Sequence, residues 1–342
     1  MSDDFSSEMD DHAFVAASYR AILGREPDAW ASENLPRELA AGRLSRSALL
    51  REIAASTERW TKTTNAIFGK GSLPNLLELF PAQYAIAART EGRGDSKVYV
   101  VRQPEDFDWL ETHIIDDGYY ETLGEWILTP DPSFSVIAEQ IKDIGGKSVL
   151  ELGCSSGQVL AELGRAGWEV SGVEVSHLAL AFTPAIIRKR IFFGDLLSVP
   201  RGKTYDIVMA LDLFEHLNPN KLHLYIAECA QRLNSSGALY VNSPMFGPDR
   251  IFGEIWSVYL EGWRRDDLFR LLEVDDRGWP SGGHLIWARP EWWERMFRDH
   301  GLIRDEDAER LLHAKYADFF DKAPARKSLF VLRKSPAGKD YI

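Results

Sequence analysis

The segment Val149–Gly157 is the most informative about chemistry, because an apolar run meets two glycines there. The run predicts a buried strand, and Gly153 and Gly157 predict a turn in which a ligand can approach the backbone closely. Glu151 stands where the dinucleotide fingerprint G-x-G-x-x-G has its first glycine. A pyrophosphate is repelled by such a carboxylate, whereas a cationic amino-acid cofactor tolerates it. The turn therefore favours S-adenosylmethionine over a dinucleotide.

Acidic residues also follow the next three predicted strands. Glu174 ends the second strand, where a carboxylate can accept hydrogen bonds from both hydroxyls of a ribose. Asp195 ends the third strand, where a carboxylate can take an adenine amino group. The fourth strand, 205–211, runs directly into Asp212. Because ligands of open parallel sheets bind at the carboxyl ends of the strands, we expect these side chains to form one site.

His216, close behind the fourth strand, is the first candidate for a general base. If a bound S-adenosylmethionine gives up its sulfonium methyl group, the transfer is an in-line displacement, and a hydroxyl acceptor must lose its proton. Imidazole suits this task because its unperturbed pKa is about 6.5. Asp212 is the second candidate, and Glu215 and His284 are in reserve. A structural role, in which the imidazole ties a loop to the backbone, is an equal alternative for His216.

Alternating strands and helices must position these residues. From Phe134 onward, the alternation indicates a parallel sheet with right-handed crossovers and helices on both faces. The predicted strands are 147–153, 168–175, 190–195, 205–211, 237–243 and 328–334, and the predicted helices are 133–144, 157–167, 177–182, 221–233 and 290–301.

The ordered set VLELGCSSGQ, VEVS, FGDLL, YDIVMALDLFEHLNP and GALYVNSP resembles the class I S-adenosylmethionine-dependent methyltransferases. The resemblance covers residues 131–335 and is strongest to members acting on small molecules, sugars and lipid-linked intermediates. It implies an α/β, Rossmann-like sheet of seven strands, the last antiparallel, with helices on both faces. It also implies that Glu151, Gly153, Cys154 and Gly157 line the methionine side, that Glu174 and Val175 hold the ribose, that Asp195 and Leu196 frame the adenine, and that Asp212 lies beside the sulfonium.

Two further segments are expected to complete the site. The family often covers its cofactor with an aromatic residue from an N-terminal segment, and Tyr120 is the candidate here, with packing as the alternative. Residues 244–290 form a long insertion after the fifth strand, and long loops in that position often form substrate lids. Its aromatic and basic residues would suit a sugar ring carrying phosphate, although a core within the lid is the expected role of most tryptophans. These residues are Trp256, Tyr259, Trp263, Arg264, Arg265, Trp279, His284 and Trp287.

Residues 12–69 are predicted to form short amphipathic helices. The segments SYRAILGREPD and ELAAGRLSRSALLREIAAS resemble a small helical domain of unknown function in bacterial proteins, often beside glycan or cell-envelope enzymes. The resemblance implies a small all-α N-terminal domain, and we expect docking to a protein partner or homo-oligomerisation there. Around it we expect a disordered acidic terminus over 1–11, a linker and cofactor-covering segment over 70–130, and a tail over 336–342.

Composition limits the partners. The 342 residues carry a formal net charge of −12, which disfavours nucleic acid as a substrate. The two cysteines, Cys154 and Cys229, form no C-x-x-C pair, so neither a zinc site nor a disulfide framework is indicated, and no metal is expected. No uncharged apolar stretch approaches the roughly 18 residues of a membrane span, and we expect a cytoplasmic protein.

We therefore expect an S-adenosylmethionine-dependent methyltransferase that methylates an oxygen of a carbohydrate or related small metabolite in bacterial envelope glycan biosynthesis. The alternative is a catalytically silent cofactor-binding scaffold that recruits partners through its N-terminal helices. An NAD-dependent oxidoreductase ranks last, because the first glycine of the fingerprint is missing and no Tyr-x-x-x-Lys set is evident.

Overall fold

The structure is a computed structural model that describes residues 10–23, 25–54, 74–88, 95–121, 133–200, 202–256 and 270–335. The chain divides into two compact units, and the described N-terminal helices belong to one while residues 74–335 of the described ranges belong to the other. In none of these ranges is there a helix of the length and apolar character that a membrane crossing requires.

The N-terminal unit contains α1 (Asp11–Leu23), α2 (Ala29–Ala40) and α3 (Arg46–Ala54). Asp28 caps α2, where its side chain accepts a hydrogen bond of 2.9 Å from the Ala31 amide. Arg46 of α3 pairs with Asp11 of α1 at 2.7 Å. The three helices bury one apolar cluster, which confirms the predicted small all-α domain. Its members are Phe14, Val15, Leu23, Ala31, Leu35, Leu49 and Ile53.

The larger unit begins with four elements that the sequence did not predict. They are α4 (Leu76–Leu79), β1 (Tyr84–Ala88), β2 (Asp95–Val100) and α5 (Pro104–Asp116). Residues 70–130 had been interpreted as a linker and covering segment, because Pro81 and the polar 90–97 run are typical of breaks. Over the described part of that range the chain is folded instead, and β1 and β2 pair antiparallel.

Seven strands form the main sheet in the described ranges, in the order β5-β4-β3-β6-β7-β10-β9. The first five run parallel, and β10 is antiparallel to both β7 and β9, which confirms the predicted class I topology. Including β8, which lies outside this sheet, the strands are β3 (Ser148–Leu152), β4 (Glu169–Glu174), β5 (Ile191–Phe193), β6 (Tyr205–Leu211), β7 (Leu233–Asn242), β8 (Leu271–Glu273), β9 (Leu302–Arg304) and β10 (Leu329–Lys334).

The central strands are buried on both faces, as expected for a parallel sheet covered by helices. Leu150 of β3 faces a core shared with α5, whereas Val149 faces a second core on the other side of the sheet. The remaining helices are α6 (Ser133–Ile144), α7 (Gln158–Arg165), α8 (His177–Ala181), α9 (Leu222–Arg232), α10 (Pro290–Arg298), α11 (Glu306–Lys315) and α12 (Ala317–Lys322).

The insertion after β7 contributes β8, which pairs antiparallel with β2. A three-stranded sheet β1-β2-β8 results, so two segments far apart in sequence build one layer. Tyr84 ties them further, since its hydroxyl donates a hydrogen bond of 2.8 Å to the Gly278 carbonyl. The insertion is therefore fastened to the segment that leads to Tyr120.

Candidate functional site

The turn after β3 has the backbone conformation that its glycines predict. Gly153 has φ 60° and Gly157, at the start of α7, has φ 73°, both in the left-handed region. A Cβ on Gly153 would lie 2.8 Å from Cδ1 of Leu213, and one on Gly157 would lie 2.5 Å from Cδ1 of Ile187. Side chains at these positions would therefore strain the backbone and collide with neighbours, which is why the turn needs glycine.

Glu151 is buried beneath this turn with an exposed fraction of 3%. Its Oε2 has no hydrogen-bond partner among the described residues. Burial, and then the nearby charge of Glu174, raise the pKa of Glu151 well above its usual value. A buried carboxylate without a partner is costly, and a cationic group would relieve that cost. Glu151 therefore fits the positively charged methionine part of S-adenosylmethionine.

Glu174 ends β4 and holds the following turn in place. Its Oε2 accepts a hydrogen bond of 2.7 Å from the Ser155 amide, and its Oε1 accepts bonds of 2.9 and 2.8 Å from the amides of Val175 and Ser176. Burial raises the pKa of Glu174, and these three bonds act in the opposite direction. Since each carboxylate oxygen has two lone pairs, Oε2 keeps acceptor capacity for a ribose hydroxyl.

The two residues expected around the adenine, Asp195 and Leu196, follow β5, whereas Val175, expected at the ribose, follows β4. Asp195 accepts hydrogen bonds from the Leu197 amide, at 2.7 Å, and from the hydroxyl of Tyr225. Leu196 is buried in the core, whereas Val175 is 40% exposed and offers an apolar surface at the end of β4. The carboxylate of Asp195 suits a flat base that carries an amino group.

Cys154 contributes backbone to the site, but its side chain belongs to the core. Its exposed fraction is 4%, and its Sγ lies 2.7 Å from where a Cβ on Gly172 would be. Burial raises the pKa of the thiol well above its usual value. Like Glu151, Cys154 has a buried side chain, and its thiol packs against Gly172 in the core.

Asp212 follows β6 with φ 45°, an uncommon conformation for a residue other than glycine. Its amide donates a hydrogen bond of 2.8 Å to the Asn242 carbonyl, and its Oδ2 accepts one of 2.5 Å from Nη1 of Arg326. The same guanidinium nitrogen reaches Oδ1 of Asn242 at 2.8 Å. No sequence pattern indicates this partner, because Arg326 lies 114 positions after Asp212 in the chain.

His216 lies in the short 3-10 turn Phe214–His216 behind β6. Its Nδ1 is 3.1 Å from the hydroxyl of Tyr120, and its ring meets that of His284 edge to face at 4.7 Å. Burial and the neighbouring His284 lower the pKa of His216 to about 3, and burial lowers that of His284 to about 4. The structure thus brings the predicted base, one of its alternatives and the predicted aromatic cover into one group.

Glu215, His216 and His284 could also hold a cation. Their ligand atoms lie within 4.8 Å of one another, and Oε1 of Glu215 is buried with no hydrogen-bond partner in the described part of the chain. The other oxygen of Glu215 accepts a hydrogen bond of 2.8 Å from Ser243. The prediction of no metal rested on the two cysteines, and no sequence pattern indicates this group because His284 is far from the other two residues along the chain.

The aromatic residues of the insertion divide between core and site. Trp279 is fully buried, as expected for most of these tryptophans, and packs against Tyr119 with ring centres 5.4 Å apart. Trp287 is partly exposed and stacks with Phe246 at 6.2 Å and with His284 at 6.5 Å. Outside the described residues lie Tyr259, Trp263, Arg264 and Arg265.

A structural neighbour and two curated relatives are similar to this chain. The crystal structure of DesVI from Streptomyces venezuelae aligns with 65% of this chain and 97% of its own, at 18% identity and a TM-score of 0.40. An uncharacterized methyltransferase of Alkaliphilus oremlandii is 29% identical over 172 residues, which are 48% of this chain and 76% of that protein. A ubiquinone biosynthesis O-methyltransferase of Mesorhizobium japonicum is 27% identical over 103 residues, which are 28% of this chain and 40% of that protein.

Two family models match the chain. The methyltransferase domain model matches residues 149–237, which hold the glycine turn and the four acidic strand ends. The model of a domain of unknown function, DUF4214, matches residues 1–63 and covers the described N-terminal helices. The chain therefore carries a methyltransferase domain with the class I sheet topology, for which S-adenosylmethionine is the cofactor, and an N-terminal DUF4214 domain.

Proposed function

We propose that this methyltransferase methylates a hydroxyl oxygen of a carbohydrate or related small metabolite, in the cytoplasm and in the service of bacterial envelope glycan synthesis. The observation that carries the proposal is the group formed by His216, Tyr120 and His284 beside Asp212. This group supports the proposal because it would supply a proton acceptor at the carboxyl edge of the sheet, where the acidic strand ends would hold the cofactor.

In this proposal the acidic strand ends bind the cofactor, which when bound supplies a methyl group on a positively charged sulfur. Glu151 faces the cationic amino-acid part, and Glu174 accepts hydrogen bonds from the ribose. Asp195 accepts one from the adenine amino group, and Asp212 lies beside the sulfur. Tyr120 covers the site and excludes water, which helps to hold acceptor and methyl group in line.

His216 takes the proton of the acceptor hydroxyl. Its position between Tyr120 and His284 restricts the ring on two sides, and this restriction favours one orientation toward an acceptor. Trp287 supplies a partly exposed aromatic face close to His284 on which a sugar ring could stack.

The names of relatives support oxygen as the acceptor atom. Two of the curated relatives, from Mesorhizobium japonicum and Rattus norvegicus, are named ubiquinone biosynthesis O-methyltransferases. A third, from Emericella nidulans, is named a sphingolipid C9-methyltransferase. The acceptor atom of this chain must therefore be identified by analysing the methylated product. The glycan part of the proposal is supported by the resemblance of the DUF4214 domain to modules found beside envelope enzymes.

The test is a reaction of the full chain with S-adenosylmethionine carrying a ¹³C-methyl group and a panel of nucleotide sugars. Carbon NMR of the product distinguishes a methyl group on oxygen from one on nitrogen or carbon. We expect an O-methyl product, and a product methylated on nitrogen or carbon would contradict the proposal. Binding of the cofactor without turnover of any acceptor would favour the catalytically silent scaffold.

The role of His216 is tested by His216→Gln beside a matched control, His223→Gln, whose histidine is exposed on α9. Loss of a general base is expected to reduce turnover by roughly 10²- to 10⁴-fold while cofactor affinity is kept. The control should retain full turnover. Normal turnover with a lowered melting temperature in His216→Gln would assign the imidazole a structural role.

A further inference from the structure

Glu121, which no sequence motif singled out, joins two parts of the proposed cofactor site. Its Oε1 accepts a hydrogen bond of 2.7 Å from the His177 amide, and its Oε2 accepts one of 2.8 Å from the Leu178 amide. The Ser176 hydroxyl lies 3.4 Å from Oε2 and donates at 3.0 Å to the carbonyl of Tyr120. Both carboxylate oxygens of Glu121 are thus bonded to the start of α8.

Two carboxylates share the turn that follows β4. Glu174 bonds the amides of Val175 and Ser176, and Glu121 bonds the next two amides along the chain. The amides at the start of a helix have no partner within the helix, and the positive end of its dipole favours a negative charge there. The turn that carries the ribose-binding carboxylate is therefore tied to the segment Tyr119–Glu121.

At its other side, the same segment contacts the proposed base His216 and the insertion. The hydroxyl of Tyr120 reaches Nδ1 of His216 at 3.1 Å, and the ring of Tyr119 packs on Trp279. Gly118, with φ 75°, allows the chain to leave α5 and enter this short turn. The cover is consequently held at two points, by Glu121 over the ribose turn and by Tyr120 beside the proton acceptor.

We propose that Glu121 is a positioning residue that latches the Tyr119–Glu121 cover onto the cofactor-binding turn and thereby slows cofactor release. The proposal rests on the covering role of Tyr120 given above. The latch does not involve the acceptor, since all of its hydrogen bonds are formed within the chain. When it is lost, the cover opens more often, and a bound cofactor escapes faster.

The test measures S-adenosylhomocysteine binding to the full chain by calorimetry and its release by stopped-flow fluorescence. Glu121→Ala removes every hydrogen bond of the Glu121 carboxylate but leaves the Ser176 hydroxyl bonded to the Tyr120 carbonyl, whereas Glu121→Gln keeps the shape and one carbonyl acceptor but loses the charge. Glu105→Gln, an exposed glutamate in the first turn of α5, is the matched control. We expect release to be about tenfold faster in Glu121→Ala, with a smaller effect in Glu121→Gln and none in the control.

Hydrogen exchange separates a latch from general destabilisation. The amides of His177 and Leu178 should exchange faster in Glu121→Gln, while the amides of β3 and β6 keep their protection. Wild-type release rates in Glu121→Gln would overturn the proposal, as would weaker binding caused only by slower association. If Glu121→Ala fails to fold, the release rate of the isosteric Glu121→Gln variant still tests the latch.

No acceptor takes part in these measurements, so a failure of O-methylation and a failure of the latch are distinguishable. Tyr120→Ala is the second reference point, because it removes the cover while leaving Glu121 in place. Fast release in Tyr120→Ala with normal release in Glu121→Gln would retain the cover and reject the latch. Normal release in both would reject the cover and with it the latch.

Discussion

The hydroxyl of Tyr120 lies 3.1 Å from Nδ1 of His216, although the two residues are 96 positions apart in the sequence. One residue had been predicted to cover the cofactor and the other to act as the base. In the proposed function this contact would couple the cover over the cofactor to the orientation of the imidazole.

Replacing Tyr120 separates these two effects. Tyr120→Phe keeps the ring and removes the hydroxyl, so we expect cofactor affinity close to wild type and turnover reduced by about three- to tenfold, because one hydrogen bond that orients His216 is gone. Tyr120→Ala should in addition weaken S-adenosylhomocysteine binding. Calorimetry and initial rates measure the two quantities. Unchanged turnover in Tyr120→Phe would mean that the hydroxyl does not orient the base.

Gly153→Ala tests the turn after β3. A Cβ there would lie 2.8 Å from Cδ1 of Leu213, and φ of 60° is strained for alanine. We expect the free energy of unfolding to fall by about 1–3 kcal/mol and cofactor binding to be lost. Denaturant unfolding and calorimetry check the two effects.

The double variant Gly153→Ala with Leu213→Ala is the control for Gly153→Ala. It removes the collision but keeps the backbone strain, so it should restore only part of the binding. Full recovery of cofactor binding would show that glycine is required only to avoid the collision with Leu213, and that its backbone conformation plays no part.

The hydrogen bonds of Asp206 lead us to expect that the free energy of unfolding depends on pH. Its Oδ2 accepts hydrogen bonds from the Lys147 amide at 2.8 Å and from the amide and hydroxyl of Ser148, and its Oδ1 accepts one from Asn234. The bond from the Lys147 amide is the main cause of a lowered pKa, with further lowering by Asn234 and Ser148 and opposition from partial burial. The charged form is thus favoured in the folded state.

A lowered folded-state pKa gives stability that is present above the unfolded value of about 3.9 and is lost as the pH falls through the folded value. Asp206→Asn should therefore lower the free energy of unfolding by about 1–3 kcal/mol at pH 7. The gap between variant and wild type should shrink below about pH 4, as measured by urea unfolding across pH. A gap that is constant from pH 7 to pH 3 would show that the charge of Asp206 plays no part.

The sequence predicted the main sheet well because its signals are local. The apolar runs of β3 and β6 and the glycines at 153 and 157 determine strand and turn conformation within a few residues. The acidic strand ends were predictable for the same reason, since parallel strands bring their carboxyl ends to one edge.

What the sequence did not predict depends on pairing between distant segments. β2 begins inside the polar 90–97 run, and it forms a strand by pairing with β1 and with β8 from the insertion. Arg326 and Glu121 carry no local signal, because their roles arise from partners at Asp212 and at the start of α8. Such contacts follow from tertiary packing, which local periodicity does not encode.

The acidic strand ends are proposed to form one adenosyl site, and a calorimetric titration tests this. Wild-type protein and Glu174→Ala are titrated with S-adenosylmethionine, S-adenosylhomocysteine and NAD, and the unfolding midpoint of each protein is measured alongside. We predict that the first two bind the wild type, that NAD does not, and that the folded variant loses adenosyl binding. Binding of NAD by the wild type, or unchanged adenosyl binding by Glu174→Ala, would contradict the account.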